Sequence, residues 1–242
     1  MSNSTTASPD NTSALGITVA VMNYNEVKSL RSVVEEILAV LRDMGNPHEV
    51  VIINDGSTDG SGELADTLAR EYPTVRVIHH PTNLGLGAVY RHGFTCGTMQ
   101  LGTLFPADGQ FDANIIPQFV RRFNEADMVL GIIPEYGKNR KPLARFFSWC
   151  ERTMVRVMFG KFPEFQGIMM FRRPLIDTVK LTSTGRGWII QMELILRFIR
   201  KNYRIVNEPT GLRARMSGEP KVNNLKSILS NLRQLFVLRL QL

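Results

Sequence analysis

Cysteine is nearly absent: Cys96 and Cys150 are the only two, and they lie far apart. That excludes a disulfide framework and a thiolate metal site built on close spacing, and it fits a reduced, cytosolic setting. Long apolar runs are also missing. No uninterrupted stretch reaches the length needed to cross a bilayer. Residues 1–14 have no basic start and no apolar centre, so they read as a disordered leader, not a signal peptide. Acidic residues are the scarcer charge, 22 against 29 basic ones, which leaves a net charge of +7. Such a surface favours nucleotide, lipid phosphate or an acidic membrane. Nucleic acid shares that charge, but no recognised binding motif or aromatic stacking platform is present, so it is set aside as a partner. The four histidines, His48, His79, His80 and His92, show no catalytic partners. His79-His80, at a strand end, reads as structural. No internal repeat and no long linker divides the chain.

What is present is alternation. At 242 residues and 43% hydrophobic content, the chain can bury a full core. Ile17–Asn23, Glu49–Ile53, Val75–His79, Leu101–Ala107 and Met128–Ile133 read as buried strands. Between them run helical patterns. The first is expected to open at Tyr24-Asn25-Glu26 and carries Leu30, Val33, Val34, Ile37, Leu38 and Leu41; Gly45-Asn46-Pro47 ends it. Another is expected from Asp112 to about Glu125. Short strand–helix connections imply an α/β fold with a mostly parallel sheet and helices on both faces. Ligands of such sheets bind beyond the carboxyl ends of the strands. Asn23, Asp55 and Asp108 all fall at ends of that kind, which points to a nucleotide site.

The second half follows another pattern. Gly137 to Pro142 is a basic loop, and Leu143–Phe159 reads as a helix mixing Phe146, Phe147 and Trp149 with Arg145, Arg152 and Arg156. A strand is expected at Gly167–Phe171, a helix at Trp188–Lys201, a strand at Tyr203–Asn207 and an amphipathic helix at Leu225–Leu242.

Thr103 to Asp112 is the stretch around which the rest is arranged. An apolar strand stops at Asp108, and Gly109 permits a tight turn or a close approach by a ligand. Asp108 and Gln110 can then offer a carboxylate and an amide oxygen to one centre, a set that suits Mg2+ or Mn2+. The alternative is a turn whose Asp caps the following helix. Asp55 to Gly60 also follows a strand; its first carboxylate could accept from a base or a ribose, while Ser57 or Asp59 caps. Gly85-Leu86-Gly87 lacks the third glycine of a dinucleotide fingerprint and reads equally as close helix–sheet packing. Arg91 in the helix after it is placed to reach a phosphate or to solvate its face. Arg140, Lys141 and Arg145 form a phosphate cradle or a solvated loop. Glu193, within an apolar segment, suits a general base or an ion-pair partner for Arg197 at i+4. Arg213, Arg215 and Lys221 flank Ser217-Gly218-Glu219-Pro220 as a basic flap.

In order and spacing, Tyr24-Asn25-Glu26, Asn54-Asp55-Gly56-Ser57-Thr58-Asp59-Gly60, Asn83-Leu84-Gly85-Leu86-Gly87-Ala88, Ala107-Asp108-Gly109-Gln110-Phe111-Asp112 and Arg215 to Lys221 resemble the motifs of the inverting GT-A glycosyltransferases, family 2, of the dolichyl-phosphate mannose synthase type. The likeness runs from about residue 17 to 221. It implies a leader (1–14), a GT-A glycosyltransferase domain (15–221) and a C-terminal amphipathic helix (222–242). It also implies that Tyr24, Glu26, Asp55, Arg91 and Asp108 hold the donor and that Asp108 and Gln110 bind Mg2+ or Mn2+. Arg140, Arg145, Arg215 and Lys221 would take phosphates; Asp108, Glu193 and Arg145 would be catalytic. Two departures stand out: Pro106 replaces the first metal-site Asp, and Asn54 replaces the first Asp of the second motif.

The activity so implied is transfer of a sugar from a nucleoside diphosphate to a polyprenyl (dolichyl or undecaprenyl) phosphate. The protein would act peripherally on the cytoplasmic face of a membrane, docked through basic, apolar helices; the last helix could instead cover core or a homodimer partner. The alternatives are transfer to a hydroxyl of a glycan or small molecule, with Glu193 or another acid as base, and a degenerate nucleotide-sugar-binding protein.

Overall fold

The computed structural model describes residues 15–134, 153–213 and 225–242, the last stretch with side chains from Arg233 onward. The first half alternates as its pattern predicts: β1 (Ile17–Asn23), α1 (Leu30–Met44), β2 (His48–Asn54), α2 (Ser61–Glu71), β3 (Val75–His79), α3 (Leu86–Thr95), β4 (Leu101–Pro106), α4 (Ile115–Arg121) and β5 (Met128–Ile132). Helical residues 153–159 (α5) follow, then β6 (Met169–Arg172), the single turn α6 (Arg173–Ile176), α7 (Ile189–Arg200), β7 (Ile205–Pro209) and α8 (Leu225–Gln241).

The strands form one seven-stranded sheet in the order β3-β2-β1-β4-β6-β5-β7. β3, β2, β1 and β4 run parallel, as do β5 and β7, while β6 is antiparallel to both its neighbours. The near-continuous apolar character of β1, β2 and β4 is what a strand covered on both faces requires. One apolar layer unites α1 and α4 with the sheet around Val19, Ile52 and Phe105. The other unites α3 and α7 with the opposite face around Ile53, Phe94 and Phe171. A third, smaller cluster joins α5, α7 and α8: Val155, Ile189, Met192, Leu196, Leu235 and Leu238.

Helix α1 buries the six apolar residues expected of it and ends at Gly45 in the left-handed conformation. It begins at Leu30, later than Tyr24-Asn25-Glu26 suggested. The reason is local. Asn25 has φ 53°, and its backbone N–H donates to Ser57 Oγ, so residues 24–29 are a loop tied to the next one. The helix expected from Asp112 is likewise shortened to Ile115–Arg121, with a 3-10 turn after it. Of the helix expected at Leu143–Phe159, only 153–159 lies within the described residues.

Candidate functional site

Three neighbouring strands, β2, β1 and β4, stop in line, and backbone hydrogen bonds carry the alignment one residue further. Asp55 N–H donates to the Asn23 carbonyl (2.9 Å), Ala107 N–H to Met22 (3.0 Å) and His80 N–H to Asn54 (2.8 Å). The loops beyond are cross-linked by short polar side chains. Thr58 N–H donates to Asn25 Oδ1 (2.8 Å), and Val27 N–H donates to Asp59 Oδ2 (3.0 Å). This rim presents Tyr24, half-buried, and Glu26, buried, beside the end of β1.

Asp55 is 3% exposed, and both its carboxylate oxygens accept hydrogen bonds from the protein. Leu84 N–H (2.9 Å) and His80 Nδ1–H (2.6 Å) donate to Oδ1, and Gly85 N–H (2.9 Å) donates to Oδ2. The carboxylate therefore braces the glycine loop before α3. His80 Nε2 in turn lies 2.7 Å from His92 Nδ1. Burial first, then the charges of His80 and Arg91, hold His92 below the usual histidine value. Sequence reasoning found no partners for these histidines. The available signal was their place: His79-His80 ends β3 beside Asp55.

Arg91 has a protein partner as well. Its guanidinium donates to the Ser183 carbonyl and ties α3 to the segment before α7.

At the end of β4, Asp108 is buried and its Oδ1 accepts the Gln110 N–H at 3.1 Å across Gly109, which has φ 74°. That positive φ suits glycine and turns the chain so that Asp108 and Gln110 stand on one loop. The Gln110 carbonyl is held from the other side by Arg213 N–H (2.8 Å). The Arg213 guanidinium reaches both Asp112 Oδ2 (2.5 Å) and Glu36 Oε1 (2.9 Å), and Glu36 also accepts the Ala113 N–H (3.0 Å). Asp112 thus pairs with Arg213 through Oδ2, while its Oδ1 accepts the N–H of Asn114, the N-cap of α4, at 2.8 Å. Neither Glu36 nor Arg213 carries a local sequence signal for this; the contact joins residues far apart in the chain.

The donor set fits a hard divalent ion in one way. Asp108 and Gln110 supply oxygens, and among the described residues no group of three His, Cys, Asp or Glu side chains converges. An ion here must complete its shell with water and substrate phosphate, as Mg2+ commonly does.

Glu193 is 0% exposed on α7. Oε1 accepts from Thr182 N–H (2.8 Å) and from Arg197 Nε–H (2.8 Å); Oε2 accepts from Ser183 N–H (2.8 Å). Burial raises the carboxyl pKa, but these hydrogen bonds outweigh it and hold the group below the ordinary glutamate value. A base must reach a proton in the substrate, and this carboxylate is enclosed by protein donors. The alternative reading, an i+4 pair with Arg197, is the observed one, at 2.6 Å. Arg140, Arg145, Arg215 and Lys221 lie outside the described residues.

Comparison with known proteins gives the arrangement a family. The glycosyl transferase family 2 model matches residues 18–180. Among curated relatives, an undecaprenyl-phosphate mannosyltransferase of Micrococcus luteus is 30% identical over 84% of this chain and 86% of its own length. A polyprenol monophosphomannose synthase of Mycolicibacterium smegmatis is 26% identical, over 89% of this chain and 82% of its own. A dolichyl-phosphate beta-glucosyltransferase of Trichomonas vaginalis is 25% identical, over 85% and 70%. Among solved structures, glucosyl-3-phosphoglycerate synthase from Mycobacterium tuberculosis superposes with a TM-score of 0.67 at 17% identity, covering 94% of this chain and 79% of that one. A mannosyltransferase from Pyrobaculum calidifontis, solved with GDP-Man and Mn2+, gives 0.65 at 18% identity, covering 97% and 66%. The loops beyond β1, β2 and β4 lie within the matched span, on a sheet shared with GT-A enzymes, and the chain belongs to glycosyl transferase family 2.

Proposed function

We propose that this protein transfers a sugar from a nucleoside diphosphate to a polyprenyl phosphate at a membrane surface, with inversion at the anomeric carbon. One observation carries the acceptor class: the three relatives named above, each matched over more than four fifths of this chain, have names that pair sugar transfer with a polyprenyl-type phosphate or monophosphate. The geometry supports the donor side, through the aligned strand ends and the Asp108–Gly109–Gln110 turn.

In this reading Tyr24 and Glu26 border the nucleoside, and Asp108 and Gln110 face the diphosphate. An acceptor phosphate oxygen attacks the anomeric carbon as the bond to the donor diphosphate breaks, and the nucleoside diphosphate leaves. The acceptor oxygen is already anionic near neutral pH, so the reaction needs no strong general base. This accords with the enclosure of Glu193. A bound Mg2+ or Mn2+, held by Asp108 and Gln110, would supply charge compensation for the leaving diphosphate. Arg140, Arg145, Arg215 and Lys221 would add positive charge along the phosphates. Catalysis then rests on positioning and electrostatics. The proposed site of action is the cytoplasmic surface of a membrane; no helix among the described residues is long and apolar enough to cross a bilayer.

The test is a matrix of UDP-, GDP- and dTDP-sugars against a polyprenyl phosphate and soluble hydroxyl acceptors, with and without Mn2+. Metal-dependent transfer to lipid phosphate is the expected result. Transfer only to hydroxyl acceptors, or donor binding without turnover, would sink the proposal.

A further inference from the structure

The buried carboxylate of Glu193 is left without a chemical task, yet it is among the most heavily hydrogen-bonded groups in the protein. Apart from Arg197 on α7 itself, its partners Thr182 and Ser183 lie on the segment that enters α7, residues 182–187. That segment does not end at Glu193. The Ser183 carbonyl accepts from Arg91 of α3. The Arg186 carbonyl accepts the Gly87 N–H at 2.9 Å. The Arg186 guanidinium reaches across to the Asn83 carbonyl (2.8 Å) and Asn83 Oδ1 (2.5 Å). The approach is so close that a Cβ on Gly87 would collide with the Gly185 carbonyl. The segment is therefore a strap laid over the glycine loop 83–87, and the loop's other side is held by Asp55 through the Leu84 and Gly85 amides.

We infer that Glu193 is a positioning residue for the donor site: with Arg197 it anchors the strap 182–187, and the strap fixes the glycine loop between Arg186 and Asp55. Three features support this function over mere stabilisation. The contacts of Glu193 converge on backbone amides of the strap, which a core-filling pair would not need. Beside the Thr182 hydroxyl's contact with Gln241 of α8, the strap makes outward hydrogen bonds to the glycine loop and α3. The loop itself leads from the end of β3, beside the strand ends already assigned to the donor. Two acids, Asp55 and Glu193, thus grip one loop from opposite sides. The assignment of that loop to a nucleoside diphosphate rests on the function proposed above; the strap does not.

The experiment compares the full-length wild type with Glu193→Gln, Arg186→Ala and the double variant. Amide hydrogen exchange is read at residues 83–87 without ligand. Donor KM, kcat and the pH profile of kcat are read with the sugar donor and lipid phosphate found active in the matrix. Both single variants should speed exchange at Gly87 and its neighbours and raise donor KM by about tenfold, the scale of one lost contact. The pH profile should keep its shape. The double variant should be no worse than the weaker single one, because both changes release the same strap. Unchanged exchange at 83–87 in Arg186→Ala overturns the inference, and that exposed position keeps the test valid even where Glu193→Gln fails to fold. A fall in kcat with a displaced acid limb, at constant donor KM, also overturns it and restores Glu193 as a base. If exchange responds as expected but the wild type binds neither UDP nor GDP, the strap stands and the transferase reading falls.

Discussion

Asp108 and Asp55 are both acids at the ends of parallel strands, and the structure gives them different work. Asp108 stands on the turn made by Gly109, with Gln110 beside it. Asp108→Asn keeps the size of the side chain and removes its charge, so metal-dependent transfer should be lost while the fold is retained. Normal turnover with the metal dependence intact, in an assay titrated with Mn2+, would remove Asp108 from the site. Asp55 is enclosed, and its carboxylate satisfies two loop amides and His80. Asp55→Ala should lower stability by about 1–3 kcal/mol for each buried donor left unpaired, read from urea midpoints. Any loss of donor affinity should follow from a loosened glycine loop. A variant as stable as wild type that still loses nucleotide binding would mean that Asp55 meets the ligand after all.

Helix α7 illustrates how one element carries both core and site. Ile190, Leu194 and Phe198 pack on the sheet, while Ile189, Met192 and Leu196 face α5 and α8. Glu193 lies between these faces, on the turn that meets the strap. Its pH behaviour has a definite sign. The folded-state pKa is depressed despite burial, because the bonds from Ser183, Thr182 and Arg197 favour the charged form. The unfolded chain then binds the proton more readily, so this contribution is complete above the ordinary glutamate value of about 4.3 and is lost as pH falls through the folded value. Asp59, Asp112 and Asp127 are shifted in the same direction and share the acid limb. The Glu193→Gln difference isolates one part of it. In urea titrations the gap between wild type and variant should be widest near neutral pH and should narrow as pH falls below about 4. A gap that stays constant would mean that the glutamate charge contributes nothing.

At the scale of the molecule, the question is what the exposed apolar residues near the C-terminus meet. Helix α8 is in part core: Leu235 and Leu238 are buried against α7. Its other side leaves Phe236 60% and Leu240 89% exposed, with Arg233 and Arg239 also exposed, and Val157 of α5 is 81% exposed. Basic groups beside such residues suit an anionic interface, each charge near the surface contributing about 1 kcal/mol. Binding to vesicles containing anionic lipid should therefore be measurable, weakened by salt, and reduced by Phe236→Asp with Leu240→Asp. Substitution is a cleaner test than removing the helix, which would uncover Ile189, Met192 and Leu196. Vesicle sedimentation that neither salt nor these changes affect would take α8 away from the membrane.

The order of strands and helices, the residues α1 buries and the convergence of Asn23, Asp55 and Asp108 were all legible in the chain itself. Each follows from local periodicity, turn chemistry and the geometry of parallel sheets, which act over short stretches. The family was legible for a related reason: its motifs are short runs at the strand ends. What an acid does at such an end was not legible. Asp55, Glu193 and Arg91 have the residue types expected of a site, and only the fold shows that His80, the strap 182–187 and the glycine loop already occupy them. The Arg213–Asp112–Glu36 contact is of the same kind. These partners come together from distant parts of the chain, and whether a charge faces ligand or protein depends on which backbone amides the tertiary structure brings within hydrogen-bonding reach.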